Sequence, residues 1–230
     1  MSSGLPQSSS PVLLLVHGWA LGAGSWQSVC RLLPDYHCLT PDLGFFAAAR
    51  PVEIPVDRPV LAVGHSLGFL WLLQQLPHAP WRHNCIGLLG IAAFSRFARA
   101  EHFPEGVPGR LLQRMRQRLP ENPHAVLQEF ARQGGRELSL PHTLVAVDSL
   151  LQGLDWLATW DGRESLHQWT GRVANLAAQD DQIVPALLSN RCFNAQQCHW
   201  LPEGGHLLPI TQPQACAHFI QQFLPETPYH

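Results

Sequence analysis

The chain has 230 residues, enough to bury the core of one domain or of one domain with an insertion. A hydrophobic share of 46% with 14% charged residues marks a globular chain, and a net charge of -2 leaves no basic footprint for nucleic acid. No apolar run is long enough to cross a bilayer, Met1 to Ser10 lacks the basic and apolar regions of a signal peptide, and the absence of lysine excludes a Schiff base. These features imply a cytoplasmic protein with no membrane association. The six cysteines show no C-x-x-C pair and read as reduced core thiols.

In chain order, residues 1–10 read as a disordered leader. A strand is expected at 12–16, a helix at about 25–33, and strands at 36–40 and 59–63. A helix at 67–76 and a strand at 85–91 follow. Strand signals then disappear between about 95 and 170. Arg110 to Leu119, Pro123 to Gly134 and Pro141 to Leu157 read as amphipathic helices separated by prolines. The rhythm resumes with strands at 172–178 and 197–201 and a closing helix from Gln212 to Phe223. Alternation of strand and helix predicts α/β architecture with a mostly parallel sheet and flanking helices. The division read from this pattern is a core of residues 11–94 and 171–230, carrying an inserted helical cap at 95–170. Trp, Leu and Phe residues of that cap would wall an acyl pocket.

Four stations carry chemistry. Gly64-His65-Ser66-Leu67-Gly68 follows the apolar run Val60 to Val63 and opens a helix. A serine on such a strained strand-to-helix turn is pushed out of the sheet, and the turn leaves room only for very small side chains at 64 and 68. Earlier, Val12 to Val16 runs into His17-Gly18-Trp19. A loop of this kind offers one backbone N–H to an oxyanion, the other coming from the residue after the serine, Leu67. Later, Val173 to Ala178 ends in Asp180-Asp181. Last, Pro202-Glu203-Gly204-Gly205-His206 sets a histidine on a Gly-rich loop. Serine, acid, histidine is the order of one nucleophilic unit, and either aspartate fits it by position alone.

The thirteen histidines show no H-x-x-x-H or H-E-x-x-H spacing, so no metal is expected. His37, His78, His83, His102, His124 and His142 read as solvated, His17 as a brace for the loop that it begins, and His65 as packing beneath the serine turn.

With these residues in hand, the chain resembles the carboxylesterases of biotin synthesis that demethylate pimeloyl-acyl-carrier-protein methyl ester, within the α/β-hydrolase superfamily. The matching stretches are His17 to Leu21 with Trp26, Gly64 to Gly68, Phe97 to Pro104, Pro123 to Phe130, Asp181 to Pro185, and Gly205-His206 through Leu224. The resemblance implies Ser66 as nucleophile, Asp181 and His206 as its partners, and the N–H groups of Trp19 and Leu67 as oxyanion hole. The acid in question precedes a residue of any type, an aliphatic residue, Val and Pro, which favours Asp181 over Asp180. Trp19 and Phe94 are expected on the substrate, an acyl ester, and no cofactor is implied.

Where the chain departs from the family pattern, three expectations arise. It starts at the strand leading to His17, so the two strands that usually come first are absent. Only 23 residues separate Asp42 from Ser66, and Pro51, Pro55 and Pro59 argue that a helix is lost there, opening an apolar face for a partner subunit. Ala125 and Glu129 stand where arginines for an acidic carrier protein are expected, while Arg110, Arg114 and Arg118 still make the cap basic. The same serine, acid and histidine also suit a general carboxylesterase, a thioesterase or a lactonase, and an idle hydrolase-like binding protein is a further alternative.

Overall fold

Val12–Val16 (β1) is five apolar residues with every side chain buried, the pattern of a strand covered on both faces. The computed structural model describes residues 10–136 and 145–224. The leader read at 1–10 (Ser10 apart), the expected helix start at Pro141 and His142 lie outside those residues.

After β1 come a 3-10 turn at Ala23–Trp26, α1 (Gln27–Arg31) and the short strand β2 (His37–Leu39). Thus the helix expected at 25–33 is present as a 3-10 turn running directly into a short α-helix that ends two residues early. β3 (Val60–His65) runs two residues past its expected end, because Gly64 and His65 pair with Gly90 and Ile91 of β4 (Cys85–Ile91). Between them lies α2 (Leu67–Gln75). Among the described residues, four helices separate β4 from β5 (Arg172–Ala178): α3 (Gly109–Arg118), α4 (Pro123–Gln133), α5 (Val147–Thr159) and α6 (Arg163–His167). The chain continues through α7 (Ala186–Cys192), β6 (Cys198–Leu201), α8 (Leu208–Thr211) and α9 (Pro213–Gln221). The short helices α6, α7 and α8 have no counterpart in the sequence reading.

The six strands form one sheet in the order β2-β1-β3-β4-β5-β6, every pairing parallel. The chain lays β2 on one side of β1 and β3 on the other. Loops leaving the ends of β1 and β3 therefore diverge and leave a crevice, the place where ligands bind in open parallel sheets. His17 leaves β1 and Ser66 leaves β3 at this crevice.

Strand alternation splits the core by face. Leu13, Leu15, Leu61 and Val63 pack against Val29 of α1 and Phe219 and Ile220 of α9. Leu14, Val16, Val60 and Ala62 pack against Phe69, Leu72 and Leu73 of α2. A third apolar cluster joins Trp19, Leu67 and Phe94 to Leu112 of α3, Val126 of α4 and Leu150 and Leu154 of α5. Helices α3, α4 and α5 are thereby seated on the ends of β1, β3 and β4, whereas Leu166 of α6 packs with the α2 cluster. Within them, the Asn122 side chain accepts from the Ala125 N–H and caps α4, with Pro123 at its first position.

Residues 43–59 contain no helix, as the prolines require. Val52 and Ile54 from this segment pack against the α2 face of the sheet, so the apolar surface expected to open there is partly covered by the chain itself. The six cysteines are free, Cys198 and Cys216 buried and the others half-buried.

Both glycines of the serine turn are sterically required. A Cβ at Gly64 would lie 2.3 Å from the backbone of Phe69, and one at Gly68 would lie 2.2 Å from the Val16 carbonyl oxygen. Backbone cannot yield as a side chain can. Gly68→Ala is expected to destabilise the fold by about 3 kcal/mol or more. The check is thermal unfolding, with a fall of at least roughly 6 °C for a chain of this size.

Candidate active site

Ser66 sits between β3 and α2 with φ 53° and ψ -121°, a conformation that non-glycine residues rarely adopt. It is held there by hydrogen bonds at both ends. Its N–H donates to the Ile91 carbonyl at 3.0 Å, and its carbonyl accepts from the Phe69 N–H at 3.0 Å. The strained turn lifts the hydroxyl off the sheet, where Oγ lies 2.9 Å from Nε2 of His206.

His206 reaches Ser66 from the loop after β6. Its Nδ1 lies 2.8 Å from Oδ2 of Asp181, and a carboxylate can only accept, so Nδ1 carries the proton. Nε2 is then the acceptor for the Ser66 hydroxyl. The other oxygen of Asp181 accepts the N–H groups of Ile183 and Val184, each at 2.8 Å, which fixes the carboxylate's orientation. All three side chains are buried.

The two aspartates diverge as successive residues leaving a strand should. Asp180 turns outward and accepts from the backbone N–H groups of Gly204 and Gly205, at 3.2 and 2.9 Å. It anchors the histidine loop and does not touch the imidazole. That loop turns through two glycines, at φ 143° and 65°. The His206 main chain is clamped as well. Its N–H donates to the Gly134 carbonyl at the end of α4, at 3.1 Å, and its carbonyl faces Nε2 of His65 at 2.9 Å. Sequence reading missed both clamps, since each joins residues far apart in the chain.

The loop after β1 is braced by His17, which is buried. Its Nδ1 donates to the Gly18 carbonyl at 2.9 Å, and its Nε2 accepts from the Leu43 N–H at 2.9 Å. Asp42 completes the brace by accepting from the N–H groups of Ala23 and Gly44. Ala20 in this loop has φ 55°. Neither the Trp19 N–H nor the Leu67 N–H finds an acceptor among the described residues. Leu67 follows Ser66 in the chain, and the loop of Trp19 approaches it through Gly18, where a Cβ would lie 3.1 Å from Ser66 Cβ. The Trp19 indole donates to the Leu150 carbonyl of α5 at 2.9 Å, tying the loop to the helices above it. Gly153 permits this approach, since a Cβ there would lie 2.6 Å from the indole.

Beside Trp19 opens a cavity of about 800 Å³. Phe97, Leu112, Val126, Phe130 and Leu157 supply its apolar wall, and Arg114, Arg118, Glu129 and Arg132 its polar one. Phe130 meets Trp19 edge-on at 4.9 Å and lies 6.2 Å from the His206 ring. Phe94, the expected substrate residue, is fully buried with its ring 4.8 Å from that of Phe97. Of the two, Phe97 lines the cavity. Arg110 does not line it, although it stands on the same helix as Arg114 and Arg118. Glu129 and Arg132 pair with each other, whereas Arg114 and Arg118 have no salt-bridge partner among the described residues. A second depression of about 830 Å³ is lined by Asp161, Arg163 and Arg191. Neither lining includes Ser66, Asp181 or His206, but the cavity over Trp19 reaches their neighbours: Gln182 and Ile183, which follow Asp181, and Phe130, 6.2 Å from the His206 ring.

Among the described residues, no group of three His, Cys, Asp or Glu could hold a metal ion, and no helix is long and apolar enough to cross a membrane. His37, His78, His83, His102 and His124 are exposed.

No family model matches the chain. It is 29% identical over 240 residues to the biotin biosynthesis bifunctional protein BioHC of Cellvibrio japonicus, covering 93% of this chain and 47% of that protein. The chain thus spans about half the length of that relative. It is 28% identical over 247 residues to the pimeloyl-[acyl-carrier protein] methyl ester esterase of Xanthomonas oryzae pv. oryzae, covering 95% of this chain and 96% of that one. In three dimensions it superposes on an esterase from Exiguobacterium antarcticum with a TM-score of 0.77 at 15% identity, over 94% of this chain and 92% of that one. The chain has the α/β-hydrolase fold, and over nearly its whole length it is similar in sequence to pimeloyl-[acyl-carrier protein] methyl ester esterases.

Proposed function

We propose that this chain is a serine carboxylester hydrolase whose substrate is the methyl ester of a pimeloyl chain on acyl-carrier protein. The observation that carries the chemistry is the unbroken path from Ser66 Oγ through both nitrogens of His206 to Asp181, at 2.9 and 2.8 Å. His206 takes the Ser66 proton as the oxygen attacks the ester carbonyl, and Asp181 stabilises the imidazolium that forms. The N–H groups of Trp19 and Leu67 receive the oxyanion. His206 then protonates the departing alcohol. Water, activated by the same imidazole, attacks the acyl-serine and releases the acid. All of these steps are carried by side chains and backbone amides of the chain.

The substrate reading has separate support. Residues 95–170 act as a cap over the core of 11–94 and 171–230, and the cavity beneath has apolar walls suited to a methylene chain. Arg114 and Arg118, without a salt-bridge partner among the described residues, suit an acidic carrier. Sequence similarity to pimeloyl-[acyl-carrier protein] methyl ester esterases names such a substrate for the relatives.

The test is a panel of methyl and p-nitrophenyl esters of varied acyl length, alongside thioesters and lactones. Preference for medium-chain methyl esters is expected; preference for a thioester or lactone moves the protein to another chemistry on the same residues. Expression in a strain lacking its own pimeloyl methyl ester esterase should restore growth without biotin, and Ser66→Ala should abolish the rescue. Soluble, active protein that does not rescue makes a general carboxylesterase the better description.

Charge reversal at Arg114 and Arg118 tests the carrier. Attraction between exposed charges acts on association and is screened by salt. The double variant should lower kcat/KM on the carrier-bound ester about 10-fold at low salt, flatten its salt dependence, and leave a small free ester unaffected. Equal loss on both substrates would remove these arginines from carrier recognition.

A further inference from the structure

His65 precedes Ser66 at the end of β3, and its ring is buried between two loops. On one side, Nε2 lies 2.9 Å from the main-chain carbonyl of His206. A carbonyl only accepts, so Nε2 carries the proton and donates it. On the other side, Nδ1 has no hydrogen-bond partner among the described residues and rests against Gly18, where a Cβ would come within 2.6 Å of it. The ring plane is tilted 50° to that of His206, with centroids 5.0 Å apart. Burial, and then the neighbouring His206, hold this imidazole well below the ordinary histidine range. A neutral His65 adds no positive charge beside the imidazolium that must form on His206.

These contacts close a ring. Ser66 is covalently joined to His65, His65 is hydrogen-bonded to the His206 backbone, and the His206 side chain returns to Ser66 Oγ. Its members come from β3 and from a loop 141 residues further along the chain. We infer that His65 is a positioning residue for the ester-cleaving reaction, setting the distance between Ser66 and His206 through its hydrogen bond to the His206 carbonyl. The clamp at Gly134 fixes the other end of the same residue, and Asp180 fixes the loop before it. Among the described residues, His65 is the one that ties the His206 main chain to the strand leading to the nucleophile. This inference rests on the reading of Ser66 and His206 as the reacting pair.

His65→Met removes the donor while keeping comparable bulk, and His65→Gln retains an N–H at the reach of Nε2. Activity on a small p-nitrophenyl ester is measured per reactive serine, titrated by complete labelling with a fluorophosphonate. Since misplacement of a reacting group by about 1 Å can cost 10²-fold, His65→Met is expected to lose roughly 10- to 100-fold in kcat. Its KM should stay within about two-fold, because the pocket wall is untouched. His65→Gln should recover most of the loss. Two variants with lowered melting temperature and unchanged kcat per titrated serine would reduce His65 to a packing role and overturn the inference.

If neither variant folds, the wild-type protein still decides the matter. Two-bond 1H–15N correlation at neutral pH should find the His65 ring uncharged and in its Nε2–H form. An Nδ1–H form overturns the inference. A wild-type protein that neither cleaves esters nor labels at Ser66 would instead overturn the functional reading beneath it.

Discussion

Ser66→Ala and His206→Ala are each expected to lower turnover by about 10⁶-fold, and the double variant to be scarcely worse. In the proposed mechanism the two side chains act as one unit. Without the imidazole the hydroxyl keeps its proton, and without the hydroxyl the imidazole has nothing to activate. Turnover on a p-nitrophenyl ester and loss of fluorophosphonate labelling are the measurements. Retention of a tenth of wild-type activity in either single variant would remove that residue from the nucleophilic role. The stability effects should differ. Ser66→Ala deletes one small polar atom, and its melting temperature should barely change. His206 is fully buried with partners at both ring nitrogens and both main-chain groups. Its truncation should lower the melting temperature by several degrees, so His206→Gln is the better control for folding.

Asp181→Asn is expected to lower turnover on the order of 10⁴-fold, and Asp180→Asn only mildly. The direction follows from hydrogen bonds. Oδ1 of Asp181 accepts two backbone N–H groups, so an asparagine must keep its carbonyl oxygen there. Its amide N–H would then face Nδ1 of His206 and force the imidazole proton onto Nε2. In that tautomer Nε2 confronts Ser66 as a donor and cannot serve as a base. At Asp180 an asparagine still offers one acceptor to the Gly204 and Gly205 amides. kcat for the two variants decides the assignment, and a severe loss at Asp180 with a mild one at Asp181 would reverse it.

Much of the scaffold is local, and the sequence by itself determined it. Cys85–Ile91 and Arg172–Ala178 match their expected bounds because short, mostly apolar runs ended by turn residues have few ways to be buried except as covered strands. Gly64 and Gly68 were legible for a similar reason: backbone that comes this close leaves no space for a Cβ, whatever surrounds it. Short helices were not legible. α6 and α8 span five and four residues, too few for a periodic pattern, and their turns rest on tertiary packing.

Within the site, residue types were visible but not their partners. A strand end by itself fixes only that Asp180 and Asp181 point apart; the family pattern through Pro185 favoured Asp181, and the His206 loop, returning beside β5, brings Asp181 and not Asp180 against the imidazole. It could not say that Phe97, rather than Phe94, would line the cavity. Nor could it join His65 to His206, or the Trp19 indole to Leu150 across 131 residues. Periodicity and turn chemistry act over a few residues of chain. A buried polar group must find a partner wherever the fold supplies one, and that choice belongs to the tertiary structure.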